Sequence, residues 1–204
     1  MSLSETMKKK FPVNLAIDTS FFVKNNFLSS KNINSLKELV DGGIVKLHIT
    51  DITYREIKNR FFINLKSTSE EIKKPLSMMR SKIPILRNFD SFETYFNLPE
   101  INLDELNNCF NRDLSRWILE LNVNVISTDS LTIREVFEDY FNSRPPFGGG
   151  DKKHELPDAF TLQALNLYFQ GNQELCHFIS EDKDFSELNI SVFYPFLKYH
   201  ELIL

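Results

Sequence analysis

Five short apolar runs, 13–17, 44–49, 123–127, 175–180 and 190–194, are separated along this chain by segments of helical periodicity. That alternation constrains the fold more than any other feature. Runs of five or six residues are strand-length, and strands that alternate with helices pair in parallel with helices on both faces. The first run, Val13–Ile17, ends at Asp18. Helical spacing over 34–41 stops at Gly42-Gly43, a helix-terminating pair. After 44–49, Thr50 or Asp51 caps a helix running through Tyr54, Glu56, Ile57 and Arg60. The stretch 65–122 is mostly helical, with breaks expected at Pro75, Pro84 and Pro99. Its strongest helix is Leu103–Leu121, which carries Leu106, Phe110, Leu114 and Trp117 on one stripe. Helices are expected over 130–142 and 157–170, a loop over 143–154 and a short helical turn over 183–188. With 204 residues and no internal repeat, the chain reads as one α/β domain over 13–204. It follows an N-terminal extension, 1–12, and contains a helical insertion at 65–122.

Composition narrows the class. The net charge of -4 argues against tight, sequence-independent nucleic-acid binding, yet suits a cluster of carboxylates awaiting a cation. The two cysteines, Cys109 and Cys176, make no disulfide framework, and the absence of CxxC or HxxxH spacing argues against zinc. No apolar run approaches the ~20 residues needed to span a bilayer. Lys8–Lys10 followed by Phe11–Ile17 is too short for a secretory signal and stops at Asp18 without a small-residue cleavage site. A reduced cytoplasmic setting without a membrane is therefore the expectation.

The acidic residues are placed unevenly. Ligands of open parallel sheets bind beyond the carboxyl ends of the strands. Asp18 follows the first run, Asp182 and Asp184 follow 175–180, and Asp158 opens a helix just before that run. Glu155 is three residues earlier, on the same face if the helix already runs there. Glu56 lies on the helix after the second run. Each acid also has a plain structural reading. Asp18 could cap a helix, Asp158 after Pro157 could complement a helix dipole, Asp182-Lys183-Asp184 could be a solvated turn, and Glu56 could be a surface residue. Their joint placement is what argues for a site. A buried strand end is a costly place to gather carboxylates unless a cation compensates them.

These residues resemble the PIN-domain family. Leu-Ala-Ile-Asp18-Thr-Ser resembles its first motif, and Ile-Thr-Asp-Ile-Thr-Tyr-Arg-Glu56-Ile its second. Glu155-Leu-Pro-Asp158-Ala resembles its third, and Phe-Ile-Ser180-Glu-Asp182-Lys-Asp184-Phe its fourth. The run from Pro145-Pro-Phe-Gly to Asp158-Ala-Phe is similar to a bacterial PIN-like subgroup. The resemblance covers roughly 13–194 and implies a three-layer α/β/α sandwich around a mostly parallel sheet. It implies an endoribonuclease that cuts single-stranded RNA with Mg²⁺ or Mn²⁺. In it Asp18, Glu56, Asp158 and Asp182 are catalytic metal ligands, with Asp184 and Glu155 as further ligands. Thr19, Ser20 and Ser180 are substrate contacts. Lys152 and Lys153 are read either as phosphate contacts or as solvated loop lysines. Members are often dimers and often toxins or defence components. A second copy of the chain and an antitoxin or defence-system protein are thus the protein partners to expect.

Rival readings fit less well. A non-catalytic nucleic-acid-binding or protein-interaction module of this family would lack some of the acids, and here every motif acid is present. A haloacid-dehalogenase-type phosphatase needs Asp-x-Asp after its first strand, where this chain has Asp18-Thr-Ser20. A receiver domain needs an acidic pair there, and Asp18 has no acidic neighbour. Gly148–Gly150 lack the spacing of a phosphate-binding Walker loop.

Overall fold

The computed structural model describes residues 12–96, 101–144, 146–147 and 154–181. Val13–Ile17 forms β1, Val45–Thr50 β2, Asn124–Ile126 β3 and Cys176–Ile179 β4. They pair in parallel in the order β3-β2-β1-β4. The expected turn at 183–188 and run at 190–194 lie outside the described residues. The chain steps outward from β1 to β2 to β3, then crosses back to place β4 on the other side of β1. β1 and β4 therefore flank the position where the winding reverses, which is where open α/β sheets bind ligands.

Helices cover the sheet. Side chains alternate along a strand, so Ala16, Ile126, Cys176 and Phe178 share one face, packed under Leu162, Leu165 and Phe169 of α7, Leu156–Asn172. Alternation turns Leu15, Ile17, Leu47 and Ile49 to the other face, where all are buried. α2, Lys31–Asp41, touches β2 and buries its own Ile33 and Leu36. Ser30 caps α2 by accepting the Ile33 N–H, and Gly43 leaves it at φ +67°, a backbone conformation that favours glycine. α1, Thr19–Lys24, is short and drives Phe21 and Phe22 into the core, where Phe22 meets Trp117 edge-on at 5.6 Å.

α3 is a 32-residue helix, Asp51–Lys82. The break expected at Pro75 does not occur, and the proline sits inside the helix. It removes only the N–H that would reach the Glu71 carbonyl, and the flanking Glu, Lys, Leu, Met and Arg residues favour helix on both sides. Pro84 instead opens a 3₁₀ turn, and Pro99 lies outside the described residues. Packing divides the chain into two compact units, Lys58–Leu114 and the remainder. Within the first, α4 is Glu93–Phe96, and Phe61 of α3 stacks on Phe110 of α5, Leu103–Glu120, with centroids 3.7 Å apart. α6, Ile133–Phe141, follows β3.

One polar chain crosses the sheet beneath α7. His48 on β2 is fully buried, with Nε2 3.0 Å from Asn14 Oδ1 on β1 and Nδ1 3.1 Å from Asn124 Nδ2 on β3. Asn14 Nδ2 donates to Glu174 Oε2 and the Leu175 carbonyl, which leaves its Oδ1 as the acceptor facing His48. Burial, helped by the positive charge of Lys46, pushes the His48 imidazole down to about 4.

Candidate active site

Asp18 stands where β1 ends, and its N–H donates to the Ile179 carbonyl at the end of β4, 2.9 Å away. The side chain is buried, 6% exposed. Its Oδ2 accepts three hydrogen bonds, from the Ser20 N–H at 3.1 Å, the Ser180 hydroxyl at 3.0 Å and the Ser20 hydroxyl. Ser20 Oγ in turn accepts the Glu181 N–H at 2.9 Å. The Asp-Thr-Ser and Ile-Ser-Glu segments are thus knitted together at the junction of β1 and β4. Asp18 does cap α1, and it does so with Oδ2 alone. Oδ1 makes no hydrogen bond among the described residues, so the carboxylate is held rigidly by one oxygen while the other is left over.

Glu56 reaches the same place from the second turn of α3. The Thr19 hydroxyl, on the residue after Asp18, donates to Glu56 Oε2 at 2.9 Å. Thr50 fixes the start of α3 by accepting the Thr53 N–H at 3.1 Å. Asp51, the other cap candidate, turns away and accepts the Thr128 N–H and hydroxyl at 3.2 and 3.1 Å. Thr50 Oγ1 also lies 3.0 Å from Thr53 Oγ1 and 3.2 Å from Thr161 Oγ1 of α7. Three buried threonine hydroxyls therefore tie the starts of α3 and α7 to the end of β2. Sequence reasoning missed this lock. Thr50 and Thr53 carry a faint signal, a cap followed by a hydroxyl three residues on, but nothing in the sequence marks Thr161.

Asp158 lies in the first turn of α7, after Pro157. Thr161, one turn later, meets Thr50 at the end of β2, while Phe169 lies against His48, centroids 5.0 Å apart, further back along the strand. α7 therefore runs opposite to the strands, and its first turn carries Asp158 past their carboxyl ends. Glu155 is the N-cap residue just before α7, with its backbone already in the right-handed helical region. Its carbonyl accepts the Ala159 N–H at 2.9 Å, and its buried Oε2 has no hydrogen-bond partner among the described residues. A small cluster steadies this end of α7. Phe147, fully buried, packs with Val136 and Ala159 and meets Tyr140 edge-on at 5.4 Å.

The described residues thus join Asp18, Thr19, Ser20, Glu56 and Ser180, and set Asp158 and Glu155 at the same edge of the sheet. Asp182, Asp184, Lys152 and Lys153 lie outside them. Among the described residues no three His, Cys, Asp or Glu side chains form a group that could hold a metal ion. The donors that are present nevertheless suit a hard divalent cation. They are all oxygens, and among the described residues one Asp18 oxygen is left over and the buried Glu155 oxygen lacks a donor. Cys176 is no competitor as a ligand, since burial pushes its thiol up and keeps it protonated.

A PIN-domain family model matches residues 15–185, which contain all the acids named above. No curated protein and no solved structure matches the chain. No helix among the described residues is long and apolar enough to cross a membrane.

Proposed function

The chain belongs to the PIN-domain family, whose members are generally nucleases and typically use divalent metals, and from that premise we propose that it is an endoribonuclease hydrolysing phosphodiester bonds of single-stranded RNA with Mg²⁺ or Mn²⁺. The observation that carries this reading is the Asp18 carboxylate, buried at the β1–β4 junction, with three donors on Oδ2 and, among the described residues, none on Oδ1. A carboxylate oriented this way presents one lone-pair-bearing oxygen in a fixed direction and loses no rotamer entropy when it binds.

Asp18, Glu56, Asp158 and Asp182 would hold the ion or ions, with Asp184 and Glu155 as further oxygen ligands. When bound, the divalent cation supplies Lewis-acid activation of an attacking water and charge compensation at the scissile phosphate. Thr19 holds Glu56 Oε2, so that this carboxylate is aimed before substrate arrives. Ser20 and Ser180 keep Asp18 from turning. Lys152 and Lys153 are assigned to the phosphates flanking the cut. The water oxygen bonds to phosphorus as the bond to the 3′-oxygen breaks, which leaves a 3′-hydroxyl and a 5′-phosphate. No side chain needs to act as the nucleophile.

The test is incubation with single-stranded RNA and DNA of the same sequence, with Mn²⁺, Mg²⁺ or EDTA. The expected result is RNA cleavage with either metal and none in EDTA, with 5′-phosphate products. Intact RNA at millimolar Mn²⁺, or equal cleavage in EDTA, overturns the proposal.

A further inference from the structure

The Lys66–Arg87 stretch carries six basic and two acidic residues, in a chain whose net charge is -4. In the second half of α3 two adjacent i,i+4 rows, Glu70–Lys74–Met78–Lys82 and Lys73–Ser77–Ser81, wind side by side along the helix. They line a shallow depression of about 510 Å³, and all seven are exposed. Its charge is uneven, with three ammonium groups against one carboxylate. Glu70 pairs with Lys73 at 3.2 Å, while Lys74 and Lys82 have no acidic partner among the described residues. Like charges crowded on one helix face repel one another, and this face buries nothing in return. An anionic partner would compensate them.

We propose that this face of α3 is a binding site for the phosphate backbone of single-stranded nucleic acid. The inference rests on the nuclease reading only for the choice of RNA as the ligand. Several ammonium groups at successive turns suit a polyanion with regularly repeated charges better than a single small anion. The Ser77 hydroxyl adds a donor for phosphate oxygens, while the Ser81 hydroxyl already donates to the Ser77 carbonyl. A membrane surface fits poorly. A helix that lies on a bilayer needs an apolar stripe bordering its basic one. Here Met78 is the one apolar side chain lining the depression, and a single thioether among lysines and serines is no such stripe.

Three lysine–phosphate contacts on a single strand give a salt dependence of about −2 in log affinity against log salt. The experiment measures binding of the full chain to a fluorescent oligouridylate by anisotropy, in EDTA so that no cleavage intervenes, across a salt series. The triple variant Lys73→Gln/Lys74→Gln/Lys82→Gln should bind at least ~10-fold more weakly and lose most of that slope. Glu70→Gln, which frees Lys73, should bind more tightly. Circular dichroism should be unchanged in both, because all four positions are exposed. Triple-variant binding within ~2-fold of wild type, with the same slope, overturns the proposal. So does absent binding by the wild type, or a lysine dependence found only with phosphatidylserine vesicles. Parallel cleavage assays with Mn²⁺ separate the two readings. Lysine-dependent binding without any cleavage sinks the nuclease and leaves this site standing. Cleavage with lysine-independent binding does the reverse.

Discussion

His48 offers the most direct physical test of the fold. It sits fully buried between Asn14 and Asn124, donating from Nε2 to one amide and accepting at Nδ1 from the other. The bond accepted at Nδ1 requires the neutral ring. Protonation at Nδ1 would set N–H against N–H and bury a charge, and the imidazole is accordingly pushed down to about 4, by burial first and by Lys46 second. In the unfolded chain it returns to about 6.5. Between these values the unfolded state binds the extra proton, so stability rises with pH across the window. The contribution is complete above about 6.5 and is lost as pH falls toward about 4. At about 1.4 kcal/mol per pH unit the full window corresponds to about 3 kcal/mol.

His48→Gln removes the titrating group while keeping a donor for Asn14. It leaves the Asn124 amide without its acceptor, at a cost of about 1–3 kcal/mol at pH 7. Urea unfolding of both proteins at pH 7 and pH 4.5 reads the difference. The wild type should lose about 2–3 kcal/mol more than the variant over that interval, because every other titrating group cancels in the comparison. Parallel losses, within ~0.5 kcal/mol, would show that His48 is not held neutral by this chain of amides, and the reasoning would fail.

The remaining predictions concern the candidate site. Asp18→Asn should slow cleavage at least ~100-fold, since it removes a ligand charge where the transition state needs compensation. It should also reduce the Mn²⁺-induced rise in melting temperature, which in the wild type reflects about 2.7 kcal/mol at ~100 times the dissociation constant; equal shifts in the two proteins would remove Asp18 from the site. Thr19→Val deletes the hydroxyl that holds Glu56 and should lower the cleavage rate about 10-fold while changing stability by no more than ~1 kcal/mol; an unchanged rate would deny Thr19 a positioning role. Phe147→Ala should cost about 3–5 kcal/mol by calorimetry, because a fully buried ring leaves a cavity under α7; a loss below ~1 kcal/mol would mean that the cluster does not anchor that helix.

Strand positions were legible in the sequence because the sheet is covered on both faces. Such strands read as nearly continuous apolar runs, and Val13–Ile17 was found where it was expected. α7 likewise matched its helical pattern to within two residues at each end, Leu156–Asn172 against 157–170. Pro75 misled for a definite reason. A proline inside a long helix removes one hydrogen bond, about 3 kcal/mol, and good helix formers on both sides can outweigh that. The polar chain from Asn14 through His48 to Asn124 was not legible at all, because its members come from three strands and become neighbours only through register. The Thr50–Thr53–Thr161 lock was hidden in the same way, its two ends lying 111 residues apart.

Asp18 shows why a site can be only half legible. From sequence alone the cap and the ligand were competing readings of one carboxylate. In the structure the two readings are compatible, because the cap uses one oxygen only. Oδ2 takes the cap hydrogen bond from the Ser20 N–H together with two serine hydroxyls, and this anchoring fixes the direction of Oδ1. A ligand held by a helix cap is pre-aimed, so the interaction that argued for a merely structural aspartate is the one that would make it an effective functional one. The same economy holds around it. Thr19 and Ser20 belong to the first turn of α1, and one hydroxyl orients Glu56 while the other orients Asp18. Ser20→Ala should therefore keep the N–H that caps α1 and loosen the Asp18 carboxylate by deleting the hydroxyl, slowing cleavage in the RNA assay, whereas loss of the Ser30 hydroxyl that caps α2 would affect stability alone.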